Sequence, residues 1–378
     1  MKLIADENIS FGKEAFSEFG EVTFAHGREI NNDMLKNADA LITRSITKVN
    51  EELLAGTNVK FVGTATIGTD HIDLDYLKGN GIAFSSAAGC NSNAVKEYVL
   101  AAVSHIFSKE GVDLAGKSIG IIGVGNIGSK LAAISESIGL EVVRNDPPLQ
   151  RETGSNIYSD LEDALACNII SCHVPLNPEG IDKTFHLINE ESLRLIKPGA
   201  LLINSSRGPV VDNNALLARL EKQKDLFSTL DVWENEPGIN NDLMNIVNLA
   251  TPHIAGYSLE GKVNGTTMIY NALCDYLGTD HSWSPQMPEI QHRQIDISRA
   301  ESKLDLLNAL FNHSYPIIED DKLLREQNSV PEHQRGSHFD GLRKNYRFRR
   351  ELQNYEVSGS QVKKEHRKII TDLGINII

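Results

Sequence analysis

Three short segments carry a cation, a carboxylate and an imidazole where strands should end. They are Asn204-Ser205-Ser206-Arg207-Gly208, Leu230-Asp231-Val232-Trp233-Glu234-Asn235-Glu236-Pro237 and Thr251-Pro252-His253-Ile254-Ala255-Gly256. In open α/β sheets, ligands bind just beyond the carboxyl ends of the strands, so Arg207, Glu236 and His253 could meet at one site. Each also has a plain alternative: a surface ion-pair arginine, a solvated loop glutamate beside Glu234, and a buried hydrogen-bonded histidine. Together they suffice to take a hydride from a secondary alcohol. A histidine removes the hydroxyl proton as general base. A neighbouring carboxylate orients the ring and stabilises the imidazolium. A guanidinium pairs with a carboxylate on the substrate and polarises the forming carbonyl. The substrate class this defines is a 2-hydroxy acid, and the reaction needs a hydride acceptor.

A holder for such an acceptor stands upstream. Gly123-Val124-Gly125-Asn126-Ile127-Gly128 fits G-x-G-x-x-G, preceded by an apolar strand pattern and followed by a helical one (Ile127, Leu131, Ile134, Ile138). The first glycine permits a tight turn, the second lets a pyrophosphate approach the backbone, and the third allows close helix–strand packing. The helix N-terminus offers free N–H groups to the phosphates. Asp146 lies 18 residues beyond Gly128. An acid there accepts from the ribose hydroxyls of NAD and repels the 2′-phosphate of NADP, although Arg144 and Arg151 are close by.

The elements needed to position these groups are legible as alternating strand and helix patterns. Lys2–Ala5, Glu21–Phe24, Ala40–Thr43 and Lys60–Thr64 read as strands of a first small α/β domain. A long helix is predicted from an N-cap near Asn93, with Val95, Tyr98, Val99, Ala102, Val103 and Ile106 on one face. A second series follows: Ile119–Ile122, Glu141–Arg144, Asn168–Cys172, Ala200–Asn204, Phe227–Leu230 and Asn248–Ala250, a six-strand doubly wound parallel sheet. A helix over Lys262–Leu277 and a linker from His281 to Pro288 precede a smaller α+β segment with helical patterns at Lys303–Phe311 and Val362–Leu373.

Composition narrows the classes. The 378 residues carry a net charge of −14 with 23% charged and 40% hydrophobic residues, which fits two or three globular domains and argues against a nucleic-acid partner. No run of 18 apolar residues suggests a membrane span. The early acidic residues Asp6 and Glu7 do not fit a signal peptide. Cys90, Cys167, Cys172 and Cys274 lack metal-ligand spacing, so no metal and reduced thiols in a cytoplasm are expected.

The chain resembles the D-isomer-specific 2-hydroxyacid dehydrogenases. The resemblance runs through Ala5-Asp6-Glu7-Asn8, the stretches 44–50 and 61–71, Gly89-Cys90-Asn91, Asp146-Pro147-Pro148, Arg207-Gly208, Val211-Asp212-Asn213, Asp231-Val232-Trp233-Glu234, 251–262 and 339–346. It implies His253 as proton donor and acceptor, Glu236 as its partner and Arg207 as substrate anchor. It implies NAD contacts at Ser205, Ser206, Arg207, Asp231 and Gly256, with Asp146 on the ribose. Ser45, Thr66 and Tyr257, with Arg44 close by, are implied as substrate contacts. Val174 stands where many members carry a threonine, so a hydroxyl contact to the cofactor is expected to be missing. The implied architecture is a substrate domain (1–95 and 258–282), an inserted Rossmann NAD domain (96–257) and a C-terminal dimerisation domain (283–378), assembled as a homodimer. The implied reaction is NAD-dependent oxidation of 4-phospho-D-erythronate to 2-oxo-3-hydroxy-4-phosphobutanoate, toward pyridoxal 5′-phosphate. One of the cations in Leu342–Arg350 (Arg343, Lys344, Arg347, Arg349, Arg350) is a candidate for the substrate phosphate, against the alternative of a solvated basic face. The rival readings are a dehydrogenase of another phosphorylated hydroxy acid such as 3-phosphoglycerate, a formate dehydrogenase, and a non-catalytic NAD-sensing scaffold.

Overall fold

The computed structural model describes residues 1–378, which form two compact units: Met1–Asn91 with Ser258–Glu289, and Ser92–Tyr257 with Ile290–Ile378. The first unit is built on five parallel strands, β1 (Lys2–Asp6), β2 (Glu21–Ala25), β3 (Ala40–Thr43), β4 (Phe61–Thr64) and β5 (Ala83–Ser86), in the order β2-β1-β3-β4-β5. Alternation assigns the faces. Leu3, Ala5, Ile42 and Phe61 pack with Ile269, Tyr270 and Leu273 of the helix Leu259–Leu277, whereas Ile4, Leu41 and Val62 pack with Leu35, Leu53 and Leu77. A parallel sheet with apolar residues on both faces must be covered on both. β5 was not expected, because its sequence Ala-Phe-Ser-Ser offers one large apolar residue and is only half-buried.

The second unit holds six parallel strands, β6 (Ser118–Ile122), β7 (Glu141–Asn145), β8 (Ile169–Cys172), β9 (Leu201–Asn204), β10 (Phe227–Leu230) and β11 (Leu249–Ala250), in the order β11-β10-β9-β8-β6-β7. A single parallel bridge from Tyr158 to Arg144 adds a remnant strand outside β7. Counting that bridge, the order is that of a doubly wound dinucleotide-binding sheet with its switch point between β6 and β8. The long helix spans Ser92–Lys109, so Asn93 lies within its first turn and is not the cap.

The C-terminal segment shares the core of this second unit. Leu306, Leu307, Leu310 and Phe311 of the helix Lys303–Ser314 pack in one cluster with Tyr98, Val99, Val103 and Ile106. Ile369 and Ile370 of the helix Lys364–Asp372 belong to it too. The segment's own strands are short: β12 (Gln294–Ile295), β13 (Glu356–Val357) and β14 (Asn376–Ile377) form a three-stranded parallel sheet. No helix is long and apolar enough to cross a membrane.

Candidate active site

The glycine loop leaves β6 directly. Gly123 has φ +91°, and Gly123 N donates to Asn145 O at 2.8 Å. At Gly128 an added Cβ would lie 2.0 Å from Gly123 O, so only glycine lets the helix Gly128–Ile138 start this close to the strand. At Gly125 the same addition meets nothing within 4 Å. The second glycine therefore faces open space at a helix N-terminus, as a pyrophosphate requires. Asn126 and Ile127 complete the turn into that helix. Asp146 closes the loop from the far side: Oδ2 accepts from Val124 N at 2.7 Å and Oδ1 from Leu149 N at 3.1 Å. A carboxylate has further lone pairs for ribose hydroxyls. The nearby cations are already paired, Arg144 with Glu136 and Arg151 with Asp182. A ribose brought to this loop would meet a carboxylate and arginines already paired, a setting that fits NAD better than a 2′-phosphate.

Adjacent strands β9, β10 and β11 deliver the three chemical groups. After β9, Asn204 Oδ1 accepts from Ser206 N and Ser206 Oγ at 3.1 and 2.8 Å, and Asn204 Nδ2 donates to Arg207 O at 2.9 Å. Arg207 Nη1 donates to Ser206 O at 2.8 Å. Ser205 Oγ is buried without a hydrogen-bond partner, an orphan that a bound polar ligand could satisfy. The backbone at Gly208 lies directly on the next loop, since a Cβ there would fall 1.9 Å from Trp233 O.

That next loop presents the carboxylate. Glu236 Oε1 accepts from Trp233 N at 2.9 Å, and Oε2 lies 2.8 Å from His253 Nδ1. Glu236 and His253 side chains retain 20% and 34% of their exposure, so the pair is partly shielded yet open to a ligand. Burial raises the Glu236 pKa, but the bond and charge of His253, the Trp233 N–H and the Arg343 cation outweigh it and hold the carboxyl below its ordinary value. With Nδ1–H directed at Glu236, His253 Nε2 is left for a substrate hydroxyl. Glu234, two residues earlier, is engaged elsewhere. Its Oε1 lies 2.6 Å from His186 Nε2 and its Oε2 accepts from Asn213 N at 3.0 Å. His186, Asp212 and Glu234 bring ligand-capable atoms within 4.8 Å of one another, a cluster sequence reading did not signal.

Asp231 builds the histidine loop. Its Oδ1 accepts from Thr251 Oγ1 and Ile254 N at 2.6 and 2.8 Å, and its Oδ2 from Ala255 N at 2.9 Å. His253 N donates to Asp231 O at 2.7 Å. Asp231 was expected to touch the cofactor; its carboxylate also holds the Thr251 hydroxyl before His253 and the Ile254 and Ala255 N–H groups after it. His253 itself has φ +57°, a left-handed conformation that side chains adopt only when surroundings impose it. Arg349 adds to that imposition from the C-terminal segment, donating from Nη1 to Ala255 O at 3.1 Å. Its guanidinium also stacks 3.7 Å from the Tyr315 ring. After β8, His173 is half-buried with Nε2 2.8 Å from Ser171 Oγ, and desolvation pushes its pKa down to about 3. Val174 follows with no side-chain donor.

Tyr257 lies just beyond Gly256, edge-on to Tyr346 at 5.8 Å and beneath Arg343 at 5.9 Å. The remaining expected substrate contacts belong to the other unit. Arg44 and Ser45 follow β3, and Thr66 follows the adjacent strand β4. Thr66 Oγ1 is 2.8 Å from Thr64 Oγ1, which is 3.1 Å from His71 Nε2. Arg44 Nη1 donates to Asn8 O at 3.3 Å. Ser45 is exposed.

Comparison with known proteins identifies the family. Residues 92–255 match the family described as D-isomer specific 2-hydroxyacid dehydrogenase, NAD binding domain, and residues 286–374 match a domain family of unknown function. The chain belongs to the D-isomer-specific 2-hydroxyacid dehydrogenase family, on its erythronate-4-phosphate dehydrogenase branch. It is 44% identical over 362 residues to the erythronate-4-phosphate dehydrogenase of Cronobacter sakazakii, covering 94% of each chain. It is 43% identical to that of Cellvibrio japonicus over the whole of both chains. Among solved structures, NAD+-bound 3-phosphoglycerate dehydrogenase of Entamoeba histolytica has a TM-score of 0.62 at 25% identity, covering 76% of this chain and 99% of that one.

Proposed function

We propose that this chain oxidises 4-phospho-D-erythronate to 2-oxo-3-hydroxy-4-phosphobutanoate with NAD, a step toward pyridoxal 5′-phosphate. The observation that carries the reading is the His253 Nδ1–Glu236 Oε2 contact at 2.8 Å, on a loop beside Arg207 and in the same unit as a dinucleotide-binding glycine loop. Arg207 binds the substrate carboxylate and polarises the C2 oxygen as it becomes a carbonyl. His253 Nε2 accepts the hydroxyl proton, and Glu236 stabilises the resulting imidazolium. When bound, NAD accepts the hydride leaving C2. Asp146 and the glycine loop hold the dinucleotide, aided by Ser205 and Ser206, and Asp231 keeps Ile254 to Gly256 in place against it. Ser45, Thr66 and Tyr257, with Arg44, bind the substrate's hydroxyl and anionic groups. We further propose a cytoplasmic homodimer with the C-terminal segment contributing the interface; four cysteines with no disulfide among them suit a reducing compartment.

The test is turnover with 4-phospho-D-erythronate and with 3-phospho-D-glycerate, which also carries a carboxylate and a phosphate, one carbon shorter. The proposal expects kcat/KM higher for the four-carbon acid. Equal or reversed values would favour the rival substrate, and NAD binding without turnover of either would favour the sensing scaffold. Size-exclusion chromatography with light scattering checks the dimer.

A further inference from the structure

Five cations crowd the stretch from Leu342 to Arg350 in an otherwise acidic chain. Three of them are engaged elsewhere and a fourth faces solvent. Arg347 Nη1 bonds Asp320 Oδ1 at 2.6 Å and lies 3.5 Å from Glu319. Arg349 is 2% exposed and bonded to the carbonyls of Ala94 and Ala255. Arg350 Nη2 donates to Asn354 Oδ1 at 3.3 Å, and Lys344 is exposed to solvent.

Arg343 differs. Its side chain is only 25% exposed, and its ion-pair contact, with Asp340, stands at 3.9 Å, beyond hydrogen-bonding distance. Its Nε is buried without a partner. The guanidinium lies 5.9 Å from the Tyr257 ring, and it acts electrostatically on Glu236. The helix Arg335–Lys344 that carries it rests on the Glu236 loop, where a Cβ added at Gly336 would be 3.3 Å from Pro237. Gly336, Phe339, Asp340 and Arg343 recur at helical spacing, so one face of this helix covers that loop. A hydrogen bond to Tyr257 and the charges of Glu236 and Asp340 support the guanidinium against its burial, and the unpartnered Nε leaves it a donor for a further anion.

We propose that Arg343 binds the phosphate monoester of the substrate, making the C-terminal segment part of the specificity site. This rests on the proposed oxidation of a phosphorylated 2-hydroxy acid and adds the residue that selects the phosphate. Arg207 takes the carboxylate at one end and Arg343 the phosphate at the other. That leaves the C2 hydroxyl between them, within reach of His253. The bland alternative is that Arg343 merely steadies Glu236 and Tyr257.

The experiment compares wild type with Arg343→Met and Arg343→Lys on 4-phospho-D-erythronate and on unphosphorylated D-erythronate. Melting temperature and NAD titration verify that each variant is folded. The expected result is a roughly 10- to 100-fold rise in KM for the phosphorylated acid with Arg343→Met, the range of a lost charge-assisted hydrogen bond. The preference for the phosphorylated acid should fall by at least tenfold, and Arg343→Lys should recover part of it. A folded Arg343→Met variant with unchanged preference, or with a parallel loss on both acids and a displaced pH profile, would overturn the proposal and leave Arg343 a positioning residue. If wild type itself turned over no phosphorylated hydroxy acid, the functional reading would fall with it, an outcome visible before any variant is made.

Discussion

At the scale of single residues, the chemistry depends on which glutamate meets His253. Glu234 and Glu236 stand two residues apart, and the sequence reading named only Glu236 as the partner. The chain reversal that places Asn235 at φ +61° turns Glu236 inward, while His186 and Asn213 hold Glu234 away. Replacing Glu236 with Gln should keep the ring's hydrogen bond but remove the negative charge that stabilises the imidazolium. We expect kcat to fall by about 10²-fold or more with NAD affinity little changed, measured by initial rates and NAD titration. Because His253, Trp233 N–H and Arg343 hold the Glu236 carboxyl below its ordinary range, its contribution is present above that range and is lost only as pH falls through the depressed value. The wild-type rate should therefore show no Glu236 limb at or above the usual carboxylate pKa. Asp146 permits a second prediction. Its replacement by Ala removes the acceptor for ribose, and kcat/KM for NAD over NADP should drop by roughly tenfold, read from rates with the two cofactors. Asp146 was legible from its distance past the glycine loop. The role of Asp231 was not, because a buried acid satisfied by three donors leaves no periodic trace.

At the scale of elements, the most consequential join is between the helix Ser92–Lys109 and the irregular stretch and short 3-10 turn that follow Phe348. Glu97 on the helix is fully buried; Oε1 accepts from Leu352 N at 2.9 Å, and Glu351 is buried beside it. Burial first, then the Glu351 charge, push the Glu97 pKa up to about 8 against the opposing pull of Arg349 and Lys96. A raised carboxyl pKa stabilises the fold while the group is protonated. That stability is full below the ordinary carboxylate range and is lost as pH rises through the folded value. The melting temperature should decline as pH climbs toward about 8, and Glu97→Gln should flatten that decline. A variant as pH-sensitive as wild type would refute the assignment. Arg349→Met should destabilise by about 3–5 kcal/mol in chemical denaturation, since it removes the cation facing the Glu97–Glu351 pair and leaves the Ala94 and Ala255 carbonyls without their donor. Six strands of the nucleotide sheet were readable because buried parallel strands are continuous apolar runs. β5 and the remnant strand at Tyr158 were not, being short and weakly apolar. That the C-terminal helices share a core with Tyr98 and Val103 was also hidden, because an apolar helix face does not name its partner.

At the scale of the whole molecule, net charge and folded stability bear on function together. A chain with net charge −14 that must hold an anionic dinucleotide and an anionic substrate needs local cations and oriented N–H groups. The glycine-loop helix, Arg207 and Arg343 are such features in one unit. Binding to the folded state alone stabilises it, by about 2.7 kcal/mol at a hundredfold excess over Kd, so NAD should raise the melting temperature and NADP should raise it less. The measurement that tests the central claim most directly pairs turnover with binding in His253→Ala. With 4-phospho-D-erythronate and NAD, wild type should form NADH, whereas the folded variant should bind NAD as wild type does and lose at least about 10²-fold in kcat. A His253→Ala variant that binds NAD and turns over at the wild-type rate would contradict the account.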